Sequence, residues 1–341
     1  LDHLSLWFAA LLLGTLHFFQ FSFFSTEISQ LRQLNLVFPA EEKISLLVNA
    51  IFAAMVLASG LRAGIFPSHF RLIRDVAQSS TATKTLRLGT DTLLALYTWV
   101  HWILPLFPHI YSQTSSALCL FFACAGLYSA LLALSCRTLH EWLGAVYSAQ
   151  SCFVFTGLLV LSGDTLQGAV FHGLAWSISA SLFVALSDRF YRFYGTTDPY
   201  EIGSLVDKNG RTALVLGIAA CLTVPLPGGP SFVSHLLILS GLLNAHPGIA
   251  LVATLTCLGT ICSLYRLLPP LFSGVSAFRE IRVVPDLSWR AAVPALGLCL
   301  LLLIVGIYPS SLRQKMEPAI KTLWQSRLKA NAPPPQFQKG R

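Results

Sequence analysis

The sequence predicts an all-α integral membrane protein of about ten transmembrane helices, and three observations carry that expectation. Of 341 residues, 54% are hydrophobic and only 11% are charged, whereas a soluble globular chain carries about a quarter charged residues to solvate its surface. Mean hydropathy is +0.65. The apolar residues are gathered into stretches near the length a bilayer core demands, about 20 residues per helix.

In chain order the candidate spans are Leu4–Phe24, Ile44–Phe66, Leu86–Phe107, Ser115–Ser135, Trp142–Leu161 and Leu166–Leu186. After a polar connector follow Ala213–Leu226, Phe232–Leu243, Ile249–Leu268 and Ala291–Tyr308. Two of these are short, and they flank Pro225-Leu-Pro-Gly-Gly-Pro230. Prolines there deny backbone donors, and glycines loosen the helix. The segment reads either as a break within the membrane, tolerated only when buried in protein or lining a wet cavity, or as a surface turn between two short helices.

The polar connectors are Ser25–Lys43, His69–Arg87, Asp188–Arg211 and Ser273–Arg290, and basic residues fall on both sides of the bundle, so they do not orient it. Residues 1–312 read as the helical bundle and 313–341 as a polar, basic tail containing Pro333-Pro-Pro335. The start, Leu1-Asp2-His3, is not an initiator, and no basic stretch precedes the first apolar run, as a signal peptide would have. This suits a processed chain or a piece of something longer.

The net charge of +8 does not point to nucleic acid, because the Lys and Arg residues sit in short connectors and the tail. Seven of the eight cysteines (Cys119, Cys124, Cys152, Cys221, Cys257, Cys262 and Cys299) lie in apolar spans without a Cys-x-x-Cys pair. Such residues act as small hydrophobes, so neither disulfides nor a metal site is expected. Walker loops, Gly-x-Gly-x-x-Gly, His-Glu-x-x-His and Gly-x-Ser-x-Gly are all absent.

Ionisable groups inside apolar spans are the candidates for function, since each costs about 2.5–3.5 kcal/mol on insertion scales and so faces the bundle interior. They are His17, Arg62, Asp91, His101, His140 with Glu141, His172, His235 and Arg266. Histidine suits a proton path because it loads and unloads near neutral pH. Taken singly, an intramembrane histidine is more often a helix-to-helix hydrogen-bond donor than a relay member, and Asp91 and Glu141 lie near expected span ends, where solvation would suffice.

Seven segments in order resemble the antiporter-like, proton-translocating membrane subunits of respiratory complex I, closest to the bacterial subunit M type and its mitochondrial counterpart. They are Gly64-Ile-Phe-Pro-Ser-His-Phe70, Leu104-Pro-Leu-Phe-Pro108, Ala145-Val-Tyr-Ser148, His172-Gly-Leu174 with Leu182-Phe183, Pro225-Leu-Pro-Gly228 with Phe232-Val233, Tyr265-Arg266 ahead of Phe272-Ser-Gly274, and Asp286-Leu-Ser-Trp-Arg290 through Gly306-Ile-Tyr-Pro309. The same family serves Mrp antiporters and membrane hydrogenases. The resemblance implies an antiporter-like bundle with discontinuous helices near the bilayer midplane.

It also implies a proton-translocating subunit of an NADH:quinone oxidoreductase. Such a subunit is non-catalytic itself and multi-pass in a bacterial or mitochondrial inner membrane. Other membrane subunits and lipid are its partners, with NADH, flavin, iron–sulfur clusters and quinone bound elsewhere. The family's mid-helix lysine falls near Leu93, where this chain has none, and its basic residue ahead of Ala145 falls near Glu141 or Trp142. The family's acid after Phe-Val-Gly becomes His235, and the span bearing its other key glutamate is missing. These departures leave open a degenerate structural subunit, or a partner in cation/proton antiport or inorganic-carbon uptake. His235 and His172 lead the proton-path candidates, ahead of Glu141, His140, Asp91, His101, Arg266 and Arg62.

Overall fold

A computed structural model describes residues 42–203, 205–273, 285–310 and 313–318. Among these, every regular element is helical. The expected first span, Leu4–Phe24, His17 within it, and most of the tail lie outside the described residues.

Ten principal helices follow one another: α1 (Glu42–Arg62), α2 (His69–Gln78), α3 (Thr81–Thr98), α4 (Pro108–Ser135), α5 (Leu139–Val160), α6 (Gly163–Tyr194), α7 (Gly210–Leu222), α8 (Pro230–Ala245), α9 (Pro247–Ser273) and α10 (Trp289–Ile307). Five of them, α4, α5, α6, α9 and α10, are long and apolar enough to cross a membrane, and apolar stretches of α1, α7 and α8 are shorter. Helix starts follow local chemistry. Thr138 and Ser162 accept from the backbone of Glu141 and Thr165 and cap α5 and α6. Proline opens α4, α8 and α9, where its missing N–H costs nothing.

Two stretches depart from the sequence reading. The presumed connector His69–Arg87 is mostly helix: α2 ends at Gln78, and α3 begins at Thr81, capped by Ser80. Its charges mimic a loop, but Arg87 reaches back to Asp75 across the break at 2.8 Å. Likewise Asp188, assigned to a connector, lies within α6, which runs on to Tyr194.

The helix α3 continues through a wide turn, Trp99–Ile103, into Leu104–Leu106. Pro105 has no N–H and its ring crowds the carbonyl four residues back. The widened turn, in which Leu104 N donates to Trp99 O, absorbs that crowding.

At Pro225–Pro230 the chain breaks between α7 and α8, each too short to span alone, and both pack along the 32-residue α6. This is the arrangement of one discontinuous span. Pro225, Gly229 and Pro230 are buried, while Pro227 and Gly228 are exposed. The Ser231 hydroxyl donates to Leu222 O at 3.2 Å, satisfying a carbonyl left at the end of α7. Gly306 of α10 lies directly against this turn: a Cβ there would meet Gly228 O at 2.4 Å.

The start of α7 is fastened by Asp286. Its carboxylate accepts from Arg211 N and Nε at 3.1 and 3.0 Å and from Thr212 N and Oγ1 at 3.1 and 2.8 Å. Leu287 N also donates to it, at 2.7 Å. Burial alone would raise the pKa of this group, but the bonds from Thr212, Arg211 and Leu287 hold it well below the usual carboxylate range.

Two outcomes follow. Gly306→Ala should lower thermal stability by roughly 2 kcal/mol, since backbone cannot yield as a side-chain tip does; an unchanged melting temperature in detergent would contradict this packing. Asp286→Ala should cost about 2 kcal/mol at pH 7. Because its folded pKa is depressed, that contribution is complete above the unfolded value of about 4 and disappears as pH falls through the folded one. The wild-type and variant unfolding curves should therefore converge only in acid.

Candidate functional site

The helix α5 is the axis of the molecule, with 94% of its most apolar window buried inside the protein. It nevertheless carries Tyr147, Ser148, Gln150 and Ser151, all buried. Each finds a partner on a neighbouring helix. Ser148 meets Ser129 of α4 at 3.0 Å. Thr92 of α3 donates to the Tyr147 hydroxyl and pairs with Ser151, at 2.7 and 2.8 Å.

Gln150 leads to the central feature. Its Oε1 lies 3.1 Å from Nε2 of His172 on α6, and Nδ1 of the same ring lies 2.8 Å from Ser234 Oγ on α8. The rings of His172 and His235 meet edge to face, with centroids 4.6 Å apart. Phe153 stacks on one face of the His235 ring, with centroids 4.0 Å apart. Nδ1 of His235 donates to Ser231 O at 2.6 Å, since a carbonyl can only accept. Three helices therefore converge on two buried imidazoles. Close approach is permitted by Gly168 of α6, where a Cβ would meet Ile238, Leu237 and Ser234 O at 2.9, 3.0 and 3.1 Å.

The Ser234 hydroxyl donates to Ser231 O at 2.8 Å, so its oxygen is left to accept from Nδ1 of His172. Gln150 Oε1 also accepts, which satisfies an imidazolium with two N–H groups. A neutral ring is satisfied just as well once the Gln150 amide turns and donates to Nε2. The site thus accommodates either charge state of His172 through one side-chain flip.

The remaining sequence candidates divide. Asp91 is buried within α3, not solvated at a span end; Arg62 of α1 holds it at 2.9 Å and Arg87 approaches at 3.6 Å. His140 is buried beside Asp188. Glu141 is half-buried in the first turn of α5. His101 is half-buried in the wide turn, tilted against Tyr97. Arg266 is exposed and does not face the interior, because α9 turns that side outward. Sequence reasoning missed Gln150, Ser234, Lys84 and Asp188. Gln150 and Ser234 carry no charge and so leave no mark in hydropathy, and the two charged groups fell outside the apolar windows.

The fold and this site define a class: a polytopic membrane bundle with interrupted helices and a chain of buried polar groups at its centre. The family described as NADH:quinone oxidoreductase/Mrp antiporter, transmembrane, matches residues 6–260, and the chain belongs to it. It is 23% identical over 277 residues to NADH-quinone oxidoreductase subunit M of Rhodobacter capsulatus, covering 81% of this chain and 54% of that protein. To subunit M of Pseudomonas aeruginosa it is 26% identical over 254 residues, covering 74% of this chain and 49% of that one. The chain thus spans about half the length of these relatives. In fold it matches a chain of respiratory complex I from Thermus thermophilus, with a TM-score of 0.74, 20% identity, and coverage of 87% and 62% of the two chains. It also matches a chain of the Mrp complex from a Dietzia species, with a TM-score of 0.79, 18% identity, and coverage of 96% and 68%.

Ser234→Ala removes the partner of a buried imidazole nitrogen. It should destabilise the protein by about 1–3 kcal/mol, whereas Ser240→Ala, an exposed serine bonded only to its own helix, should change nothing. Equal melting temperatures for the two variants in detergent would show that the His172 contact contributes little.

Proposed function

We propose that this chain is a proton-translocating membrane subunit of a multi-subunit assembly related to complex I. Protons pass through its interior at the His172–His235 pair. The observation carrying this reading is that His172 is buried, 4.6 Å from a second buried imidazole, and hydrogen-bonded so that it is satisfied charged or neutral. A relay group must change charge without stranding its neighbours, because an unpaired polar group in a low-dielectric interior is costly. The Gln150 flip meets that need. The energy source is quinone reduction in partner subunits, which also hold NADH, flavin and iron–sulfur clusters. Family membership and the fold likeness to chains of large membrane complexes support this.

One observation favours a second reading, a structural subunit that no longer conducts. Leu93, standing where the resemblance expects a lysine, packs at the position of Gly173, one residue from His172. A leucine there cannot hold a proton.

The two readings separate in inside-out membrane vesicles that carry the intact assembly. His172→Gln and His235→Gln keep a hydrogen-bonding side chain but cannot titrate. Each should slow proton uptake at least tenfold while the assembly still forms. Uptake at the wild-type rate with glutamine at both positions would overturn the relay and leave the structural subunit.

A further inference from the structure

A second group of titratable side chains lies at one end of the bundle, far from the histidine pair. Lys84 is one of the largest fully buried side chains of the protein. It sits in the first turn of α3 with its Nζ 2.6 Å from Asp188 Oδ1 on α6. Nε2 of His140, in the first turn of α5, lies 3.6 Å from the same oxygen. That nitrogen is buried and has no hydrogen-bond partner among the described residues. The other carboxylate oxygen, Oδ2, accepts from Thr81 Oγ1 and lies 3.6 Å from Arg192 Nε.

Tyr191 faces both bases, its ring 5.6 Å from Lys84 Nζ and 6.0 Å from the His140 ring. Glu141, next along α5, is the neighbouring acid. Asp188 is sixteen residues beyond His172 on α6, a rise of about 24 Å, so this group lies toward a membrane face. The Arg192 side chain, 63% exposed, marks its open edge.

A buried ammonium on one carboxylate oxygen, with an unpartnered imidazole nitrogen aimed at that same oxygen, is more than an ion pair. From this geometry we infer that Lys84, Asp188 and His140 form a proton-exchange site in which two bases share one proton across a single carboxylate. In one form Lys84 is an ammonium, Asp188 a carboxylate and His140 neutral. The Nζ–H bond breaks as an O–H bond forms on Asp188 Oδ1, leaving Lys84 and Asp188 both neutral. That O–H then breaks as Nε2–H forms, giving neutral Lys84, Asp188 carboxylate and His140 imidazolium. Net charge is zero throughout, which a low-dielectric site tolerates far better than a bare charge. Transfer requires that the 3.6 Å separation close to hydrogen-bond length. This site rests on the reading that protons move through the chain, and it supplies that path with an exchange point near one aqueous side.

The test reads protonation of His140 rather than flux, so its failure and that of the relay are separate. The full chain with ¹⁵N-labelled histidine is placed in lipid nanodiscs, and the His140 resonance, assigned by its loss in His140→Gln, is titrated from pH 4 to 9. Lys84→Met removes the competing base, so the proton affinity of His140 should rise at least tenfold. The double variant Lys84→Met with Asp188→Asn removes both partners of the Lys84–Asp188 ion pair, so it leaves neither of these charges buried alone. In it the midpoint should fall at least one pH unit below the Lys84→Met value, or below that of Lys84→Gln, which keeps a hydrogen bond to Asp188, if the methionine variant is lost. An imidazole with the same midpoint in all the chains, or one that stays neutral across the whole range in each, would overturn the proposal.

Discussion

The constraint on which this structure depends is that lipid offers no hydrogen bonds. A polar side chain on a bilayer-facing surface is left unpaired, so the buried polar groups of this chain must find one another. On α5 four of them do. Its Trp142 donates to Ser263 of α9 at 2.9 Å, Tyr147 is held by Thr92 of α3, Ser148 by Ser129 of α4, and Gln150 reaches His172 of α6. One helix thereby meets four neighbours through side chains that lipid could not satisfy. Bundle packing and polar satisfaction are the same set of contacts.

The interrupted helices follow from the same constraint. Ending a helix at membrane depth exposes carbonyls and N–H groups that need partners. The α2–α3 break lies instead at the end of the bundle that holds Lys84, where Ser80 caps α3 and the Arg87–Asp75 pair spans the gap. At the α7–α8 break, Ser231 returns to Leu222 O, and the turn is sealed by Gly306. The second break also places Ser231, Ser234 and His235 in the first turns of α8, where Ser231 O anchors the imidazole of His235. The break thus sets the position of one member of the histidine pair.

Polar groups recur at heptad spacing on two helices, Lys84 and Asp91 on α3 and His140 and Tyr147 on α5. Seven residues on a helix return to nearly the same face about 10 Å further on. The buried groups are therefore arranged as steps from one end of the bundle inward: Lys84, Asp188 and His140, then Asp91 with Thr92 and Tyr147, then Gln150, His172 and His235. Arg62 and Arg87 balance Asp91 on the way, so among the described residues both buried carboxylates, Asp91 and Asp188, have a cation.

The class of this protein is legible in its sequence, because the length and apolarity of a membrane-spanning helix are dictated by bilayer thickness and can be read one segment at a time. It also singled out His172 and His235, since an ionisable residue inside an apolar run stands out wherever it lies. That these two rings touch is a result of the tertiary structure alone: they lie 4.6 Å apart although they sit on different helices. Only it revealed Lys84 and Asp188 as interior groups. A hydropathy window ends at the first charge, so it trims from each helix those polar turns that are buried against an opposite charge. The cost of burying a charge depends on its partner, and the partner is chosen by packing, which no single stretch of sequence contains.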